Sequence, residues 1–425
     1  MIGNSTTVPT RREFLQRIAL VLGAGTLATQ VPWLPPLLAQ PPGDSPADRV
    51  RIGIIGPGSR GGYLMRLLLA TPGIEVAALC DDYAPNLERA ASLCAPGTRR
   101  HSDYRELLAS REIDGVVIAT PLHEHAPMTL AALSAGKHVF VEKSLAYTIE
   151  ECDAIGRAAK ASGLVFQVGH QRLYSRRYLR AHALLARGEL GPIRQFRGHW
   201  HRNGDWRRRV PKPELERKIN WRLYRRYSAG LSTELGSHHF QLANWLSGTT
   251  PLSCVGYGSI NHWKDGREVE DNMAVVFRYP NGVQLLWDSL ISNAHHGCEF
   301  KVMCPKGYIE TESGRVFLET PPPAPGLVQL VNGIEKGLFE TISIGGPSWV
   351  PDLAKDTEGS LLDENWREVD AESKLQLAAF GNAIRQGKPI PGMIEHAVHA
   401  GVASLMAQFA MEENREVFWP KNLCV

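Results

Sequence analysis

The sequence predicts an α/β protein: a doubly wound parallel sheet, then an α+β domain with a large, mostly antiparallel, open sheet. Three observations predict it. Short apolar runs alternate with helical patterns from Val50 to Val168, the spacing of βαβ units. The first run leads straight into a glycine cluster at Gly56. After about residue 171 the pattern changes to the alternation of strands with one wet face.

The elements follow in order. Residues 50–56 are apolar enough for a strand buried on both faces. A helix is expected over 61–70, a strand over 74–80, a helix over 105–109 and a strand over 115–119. A helix over 126–135, a strand over 137–141, a helix over 149–161 and a strand over 165–168 complete the first domain, 49–170. In the second domain, 171–425, strands are expected over 192–202, 252–262, 272–279 and 282–291. Tyr279-Pro280-Asn281-Gly282 is a hairpin turn signal. The proline-rich stretch 321–326 is a loop. Helices over 373–386 and 394–411 end the fold, and the span 373–412 is expected to pack back on the first domain.

The N-terminus reads as a processing segment. Arg11-Arg12 and Phe14-Leu15 precede a short apolar run from Ile18 to about Ala28, resembling a twin-arginine export signal. Residues 1–39 are the expected leader and 40–48 a Pro/Gly-rich linker. This places the protein in the periplasm, with the Tat translocon as a partner and a membrane anchor if the leader is kept.

Composition excludes other classes. The net charge is +3, and the leader holds +2 of it through Arg11, Arg12, Arg17 and Glu13. A nearly neutral fold is no general nucleic-acid binder. The seven cysteines are scattered without a CxxC pair, so neither a disulfide framework nor a zinc site is expected.

Gly56-Pro57-Gly58-Ser59-Arg60-Gly61 is a GxGxxG between a strand and a helix, the context a Rossmann dinucleotide fingerprint requires. Gly56 makes the turn, Gly58 lets a pyrophosphate approach the backbone, and Gly61 lets helix pack on strand. Ser59 and Arg60 stand at the helix start, whose free N–H groups attract phosphate. Asp81 lies 20 residues past Gly61 at the end of the second strand. There it would bind ribose hydroxyls and repel a 2′-phosphate, favouring NAD over NADP. Arg60 offsets that repulsion in part, and FAD stays a rival at this point.

Two further stretches carry a family resemblance. One runs from Val117-Ile118-Ala119-Thr120-Pro121 through His125 to Ala135-Gly136-Lys137-His138-Val139-Phe140-Val141-Glu142-Lys143-Ser144. The other is Glu234-Leu235-Gly236-Ser237-His238-His239. With the fingerprint, they resemble the Gfo/Idh/MocA sugar oxidoreductases over roughly 50–412. Ser144 replaces the usual proline, so the rigid turn after the lysine is expected to be lost. Glu234 replaces a common aspartate, as in the exported branch.

The resemblance implies a site. Lys143 would sit beside the nicotinamide, with Thr120, Pro121, His125 and Glu142 in the cofactor pocket. His238 would be the general base, Glu234 its orienter or a substrate ligand, and Lys143 the electrostatic partner. If the segment is helical, the four-residue spacing puts Glu234 and His238 on one face; His239 then points away and is structural. His170, Gln171, Arg172 and the weaker candidate Tyr174 would meet substrate or nicotinamide at the sheet's switch point. Arg202 and Asn203 are chosen for sugar contact from a stretch rich in Trp and Arg, running through Arg207-Arg208-Arg209 to Trp221 and Tyr227. That composition suits sugar stacking and a subunit interface equally. No metal is expected, because His123, His125, His295 and His296 lack acidic or cysteine partners at ligand spacing.

The expected function is exported, NAD-dependent hydride transfer at a carbohydrate secondary hydroxyl, with the cofactor retained. One alternative is a redox-neutral glycosidase that oxidises, eliminates and re-reduces. Another is a non-catalytic, NAD-containing sugar-binding protein. A homodimer or tetramer follows from the resemblance alone.

Overall fold

The computed structural model describes residues 49–319, 358–363 and 370–425. The expected leader, linker and 321–326 loop lie outside them.

The first sheet has six parallel strands: β1 (Val50–Ile55), β2 (Ile74–Cys80), β3 (Arg99–His101), β4 (Gly115–Ile118), β5 (His138–Val141) and β6 (Phe166–Val168), in the order β3-β2-β1-β4-β5-β6. Its helices are α1 (Ser59–Leu69), α2 (Ala84–Ala91), α3 (Tyr104–Ala109), α4 (His125–Ser134) and α5 (Ile149–Ser162). Helix α1 begins two residues before the expected start, so Gly61 lies in its first turn. A capping box of Thr148 and Glu151 starts α5, and Gly163 at φ +64° ends it. Sequence reading missed α2 and β3; β3 is Arg-Arg-His on the sheet edge, with no apolar run to betray it.

Helix α6 (Arg176–Ala186) leads into a nine-stranded sheet. Its strands are β7 (Gln195–His201), β8 (Ser253–Ser259), β9 (Asn272–Arg278), β10 (Gln284–Leu290), β11 (Cys298–Cys304), β12 (Gly307–Glu310), β13 (Arg315–Leu318), β14 (Ser360–Leu361) and β15 (Val417–Phe418). The order is β14-β13-β12-β11-β7-β10-β9-β8-β15. All pairs are antiparallel except the central pair β7–β10, so the sheet is mixed. The 279–282 turn closes the β9–β10 hairpin with Asn281 at φ +60° and Gly282 at φ +76°.

Alternation sorts the second sheet's faces. Phe196, Phe277, Trp287 and Phe300 point inward and are buried. Phe240 of α7 (Ser237–Ser247) packs on Phe277 and Trp287, with centroids 4.8 and 5.2 Å away. The last helices are α8 (Ala371–Gln386) and α9 (Met393–Glu413). Helix α8 packs on α1 and β1, while α9 touches α5, α7 and β8. Among the described residues no helix is long and apolar enough to cross a membrane.

Candidate active site

The C-terminal ends of β1, β2 and β4 open into a cavity of about 620 Å³. Its glycines fit the chemistry expected of them. Gly56 is at φ +82° and lies so close to the Ala119 backbone that a Cβ would stand 3.0 Å from its carbonyl. A Cβ on Gly61 would stand 2.1 Å from the Gly56 carbonyl. At Gly58 a Cβ would meet only Asn86 Nδ2, at 3.5 Å, so the backbone faces open space, as a pyrophosphate needs. Ser59, Arg60, Asp81, Thr120 and Pro121 also line this cavity.

Asp81 accepts from the Tyr83 N–H at 2.8 Å and from Asn86 Nδ2 at 3.1 Å. These bonds engage both carboxylate oxygens at the cavity wall, while burial raises its pKa. Arg60 is otherwise engaged: its Nε donates to Glu142 Oε1 at 2.7 Å. Glu142 is thereby a buried anchor for Arg60, and its second oxygen accepts from the Lys143 N–H at 3.0 Å. The opposite wall comes from the second domain, through Arg208, Arg209, Lys218, Trp221 and Arg222. Lys218 pairs with Asp82 at 2.7 Å across the mouth. Part of the Trp/Arg stretch read as sugar contact or interface thus walls this cavity.

Lys143 follows β5. Its Nζ donates to the Glu234 carbonyl at 2.7 Å and reaches toward the Thr233 carbonyl at 3.5 Å. Burial lowers its pKa, against the opposing charges of Glu234 and Glu142. The Lys143–Ser144 peptide is cis.

The Glu234 expectation needs correction. Residues Ser232–Gly236 form a π-helical turn ahead of α7, so a four-residue offset no longer stacks side chains on one face. Glu234 is held by Arg222, Nε to Oε2 at 2.8 Å. Despite burial, Arg222 and Lys143 keep its pKa below the usual carboxylate value. It does not orient His238. Arg222 escaped notice because nothing in linear spacing ties it to Glu234.

His238 and His170 stand edge to face, with centroids 5.7 Å apart. His170 is fully buried, and both ring nitrogens lack a hydrogen-bond partner among the described residues. His238 Nδ1 is likewise buried and unpartnered. Burial, Lys143 and nearby positive groups push the His170 pKa down to about 3. Burial, Arg172 and Lys143 put His238 well below its ordinary value. Both surroundings favour the neutral imidazole beside the lysine. Neighbouring His239 accepts from Trp287 Nε1 at 2.8 Å and lies against Trp200, which fits its structural assignment.

Other candidates are placed elsewhere. His125 faces two backbone carbonyls, Ser144 at 2.8 Å and Thr120 at 3.0 Å. It braces the pocket wall instead of lining the cavity. Arg172 pairs with Glu312 at 2.5 Å, its guanidinium 5.1 Å from the Trp200 ring centre. Tyr174 is fully buried and accepts from Gln167 Nε2 at 3.0 Å, which commits it to packing and not to substrate. Gln171 Oε1 is buried and has no partner among the described residues. Arg202 and Asn203 line a separate cavity of about 510 Å³ with Trp200, His201, Trp206 and Cys298. The Trp200 ring, 5.6 Å from that of His238, links this cavity to the histidine pair.

Residues 50–170 match the family model described as an oxidoreductase family with an NAD-binding Rossmann fold, and 178–310 match the GFO/IDH/MocA C-terminal domain. The chain belongs to the Gfo/Idh/MocA family. Its cofactor is NAD, and FAD is set aside. An inositol 2-dehydrogenase of Salmonella typhimurium is 33% identical over 144 residues, which is 33% of this chain and 43% of that one. A glycosyl hydrolase family 109 protein of a Shewanella species is 33% identical over 180 residues, 38% of this chain and 39% of that one. The match spans less than half the length of these relatives. Levoglucosan dehydrogenase, solved with NADH and levoglucosan, shares the Gfo/Idh/MocA fold at a TM-score of 0.66 and 19% identity, over 88% of this chain and 100% of that one. Lactobacillus plantarum myo-inositol 2-dehydrogenase does so at 0.66 and 20%, with the same coverage.

Proposed function

We propose that this family member transfers hydride between the carbinol carbon of a carbohydrate and a retained NAD. The observation that carries the reading is a pair of buried imidazoles beside the Lys143 amine: among the described residues, His170 lacks a partner at both ring nitrogens and His238 at Nδ1. A buried N–H without an acceptor costs about 1–3 kcal/mol, a cost that a bound hydroxyl would remove. When bound, the dinucleotide supplies the hydride acceptor. Gly56, Gly58, Ser59 and Asp81 hold it, and the Lys218–Asp82 pair supports its retention. Lys143 Nζ donates to the substrate oxygen and stabilises its developing charge. His238 takes the hydroxyl proton at Nδ1. Glu234, paired with Arg222, keeps Lys143 basic enough to donate.

The Arg11-Arg12 leader supports export through the Tat route to the periplasm, where a retained cofactor needs no soluble pool. The family resemblance supports a homo-oligomer. The glycosyl hydrolase relative favours a second reading, a redox-neutral glycosidase in which the same groups serve elimination. Protein purified without added NAD decides between them. Incubation with a glycoside panel should raise the absorbance near 340 nm and yield a keto-sugar. Free aglycone without lasting absorbance would replace the dehydrogenase with the glycosidase. No NAD bound, and none loadable, would sink both.

A further inference from the structure

The outward face of the second sheet gathers histidines that the redox site does not use. His199 and His201 are two apart on β7 and so share a face. The Gly297 carbonyl accepts from the His201 N–H at 2.6 Å, which docks the 294–297 turn against β7 and brings in His296. Ring centres are 5.5 Å apart for His199–His201, 5.8 Å for His199–His296 and 5.5 Å for His201–His296. Three imidazoles on one tetrahedral zinc have centres about 5 Å apart. The rings must turn for their nitrogens to converge on one ion, since His199 Nε2 now faces the His296 carbonyl at 3.0 Å.

Strand pairing supplies the acidic partner that linear spacing lacks. The parallel register of β10 with β7 sets Asp288 opposite His199, and its carboxylate bonds His201 Nε2. Asp288 is 50% exposed in its side chain and His296 is exposed, so an ion can enter from solvent. A tighter cluster, His239, Cys298 and Glu312, has ligand atoms within 4.8 Å of one another. The Arg172 guanidinium already pairs with Glu312 there and lies 3.7 Å from Cys298 Sγ, so a positive charge holds that place.

We propose that His199, His201, His296 and Asp288 form a site for a divalent transition metal of the zinc type. Three imidazoles and a carboxylate make a borderline donor set that suits Zn²⁺ and excludes Ca²⁺ and Mg²⁺. The bound ion would tie β7 to the turn that borders the Arg202–Asn203 cavity.

The test titrates untagged, metal-stripped full chain with Zn²⁺ by calorimetry near neutral pH. One equivalent per chain is expected, with affinity at least tenfold weaker in His296→Ala and in His199→Ala and unchanged in Cys298→Ser. No saturable uptake, uptake untouched by both histidine variants, or uptake lost in Cys298→Ser overturns the proposal. Co²⁺ added to the unmodified protein gives a reading independent of any variant's folding. The visible bands of a tetrahedral nitrogen–oxygen centre support the site, and a thiolate charge-transfer band moves the ion to Cys298 and overturns it.

Discussion

Arg222 Nε donates to Glu234 Oε2 at 2.8 Å, and this ion pair fixes the carboxylate whose charge acts most strongly on Lys143. Glu234 supports the charged form of the lysine, while Arg222 opposes it. Replacing Glu234 by Gln removes the support and leaves the opposition. The Lys143 pKa should fall further, moving the limb of the pH profile that reports it about one unit toward acid. Profiles of kcat/KM for the two proteins check this; a shift to alkaline pH would contradict it.

Two adjacent histidines should part ways. His238→Ala removes the proposed proton acceptor and is expected to lower kcat about 100-fold or more with little loss of stability. His239→Ala strands the buried Trp287 N–H and should cost about 1–3 kcal/mol of stability. Turnover and urea midpoints measured on both variants separate the roles, and equal activity losses would refute the division.

Gly61→Ala forces a methyl to 2.1 Å from the Gly56 carbonyl. Helix α1 must then move off β1, and about 2 kcal/mol or more should be lost together with NAD binding. A normal melting temperature with unchanged NAD affinity would show that the turn relaxes freely.

Acid should destabilise the fold early. His125, His170, His238 and His239 are buried, and each pKa lies below the ordinary 6.5. Below pH 6.5 the unfolded chain takes up protons that the folded one refuses, so stability falls with pH. The loss per histidine approaches about 1.4 kcal/mol per pH unit and stops where the folded protein protonates, at about 3 for His170. Urea midpoints should drop between pH 7 and 5, and a flat profile would contradict the burial argument.

The first sheet was legible because each buried parallel strand writes an apolar run bounded by turns, as Ile74–Cys80 does to the residue. β3 was not, being polar and at the edge. In the second domain β8, β9 and β10 announced themselves by alternation, but β11, β12 and β13 went unread. The parallel pairing of β7 with β10 is long-range and leaves no local trace. In the site, the fingerprint glycines and Lys143 stood out because backbone geometry and motif order constrain them. The partner of Glu234 did not, because a π-helical turn changes which side chains meet. Arg60 and Arg172 were legible as charges, and only the folded chain shows that Glu142 and Glu312 already hold them.

The acceptors that meet the Lys143 amine are main-chain carbonyls of Thr233 and Glu234. Side-chain scanning is therefore blind to this contact, since alanine at either position keeps the peptide oxygen. The geometry that steers the amine is carried by the helical distortion between Ser232 and Gly236. Deleting Ser232, to restore a regular helix, would retune the lysine while every residue of the Glu234–His239 motif stayed in place.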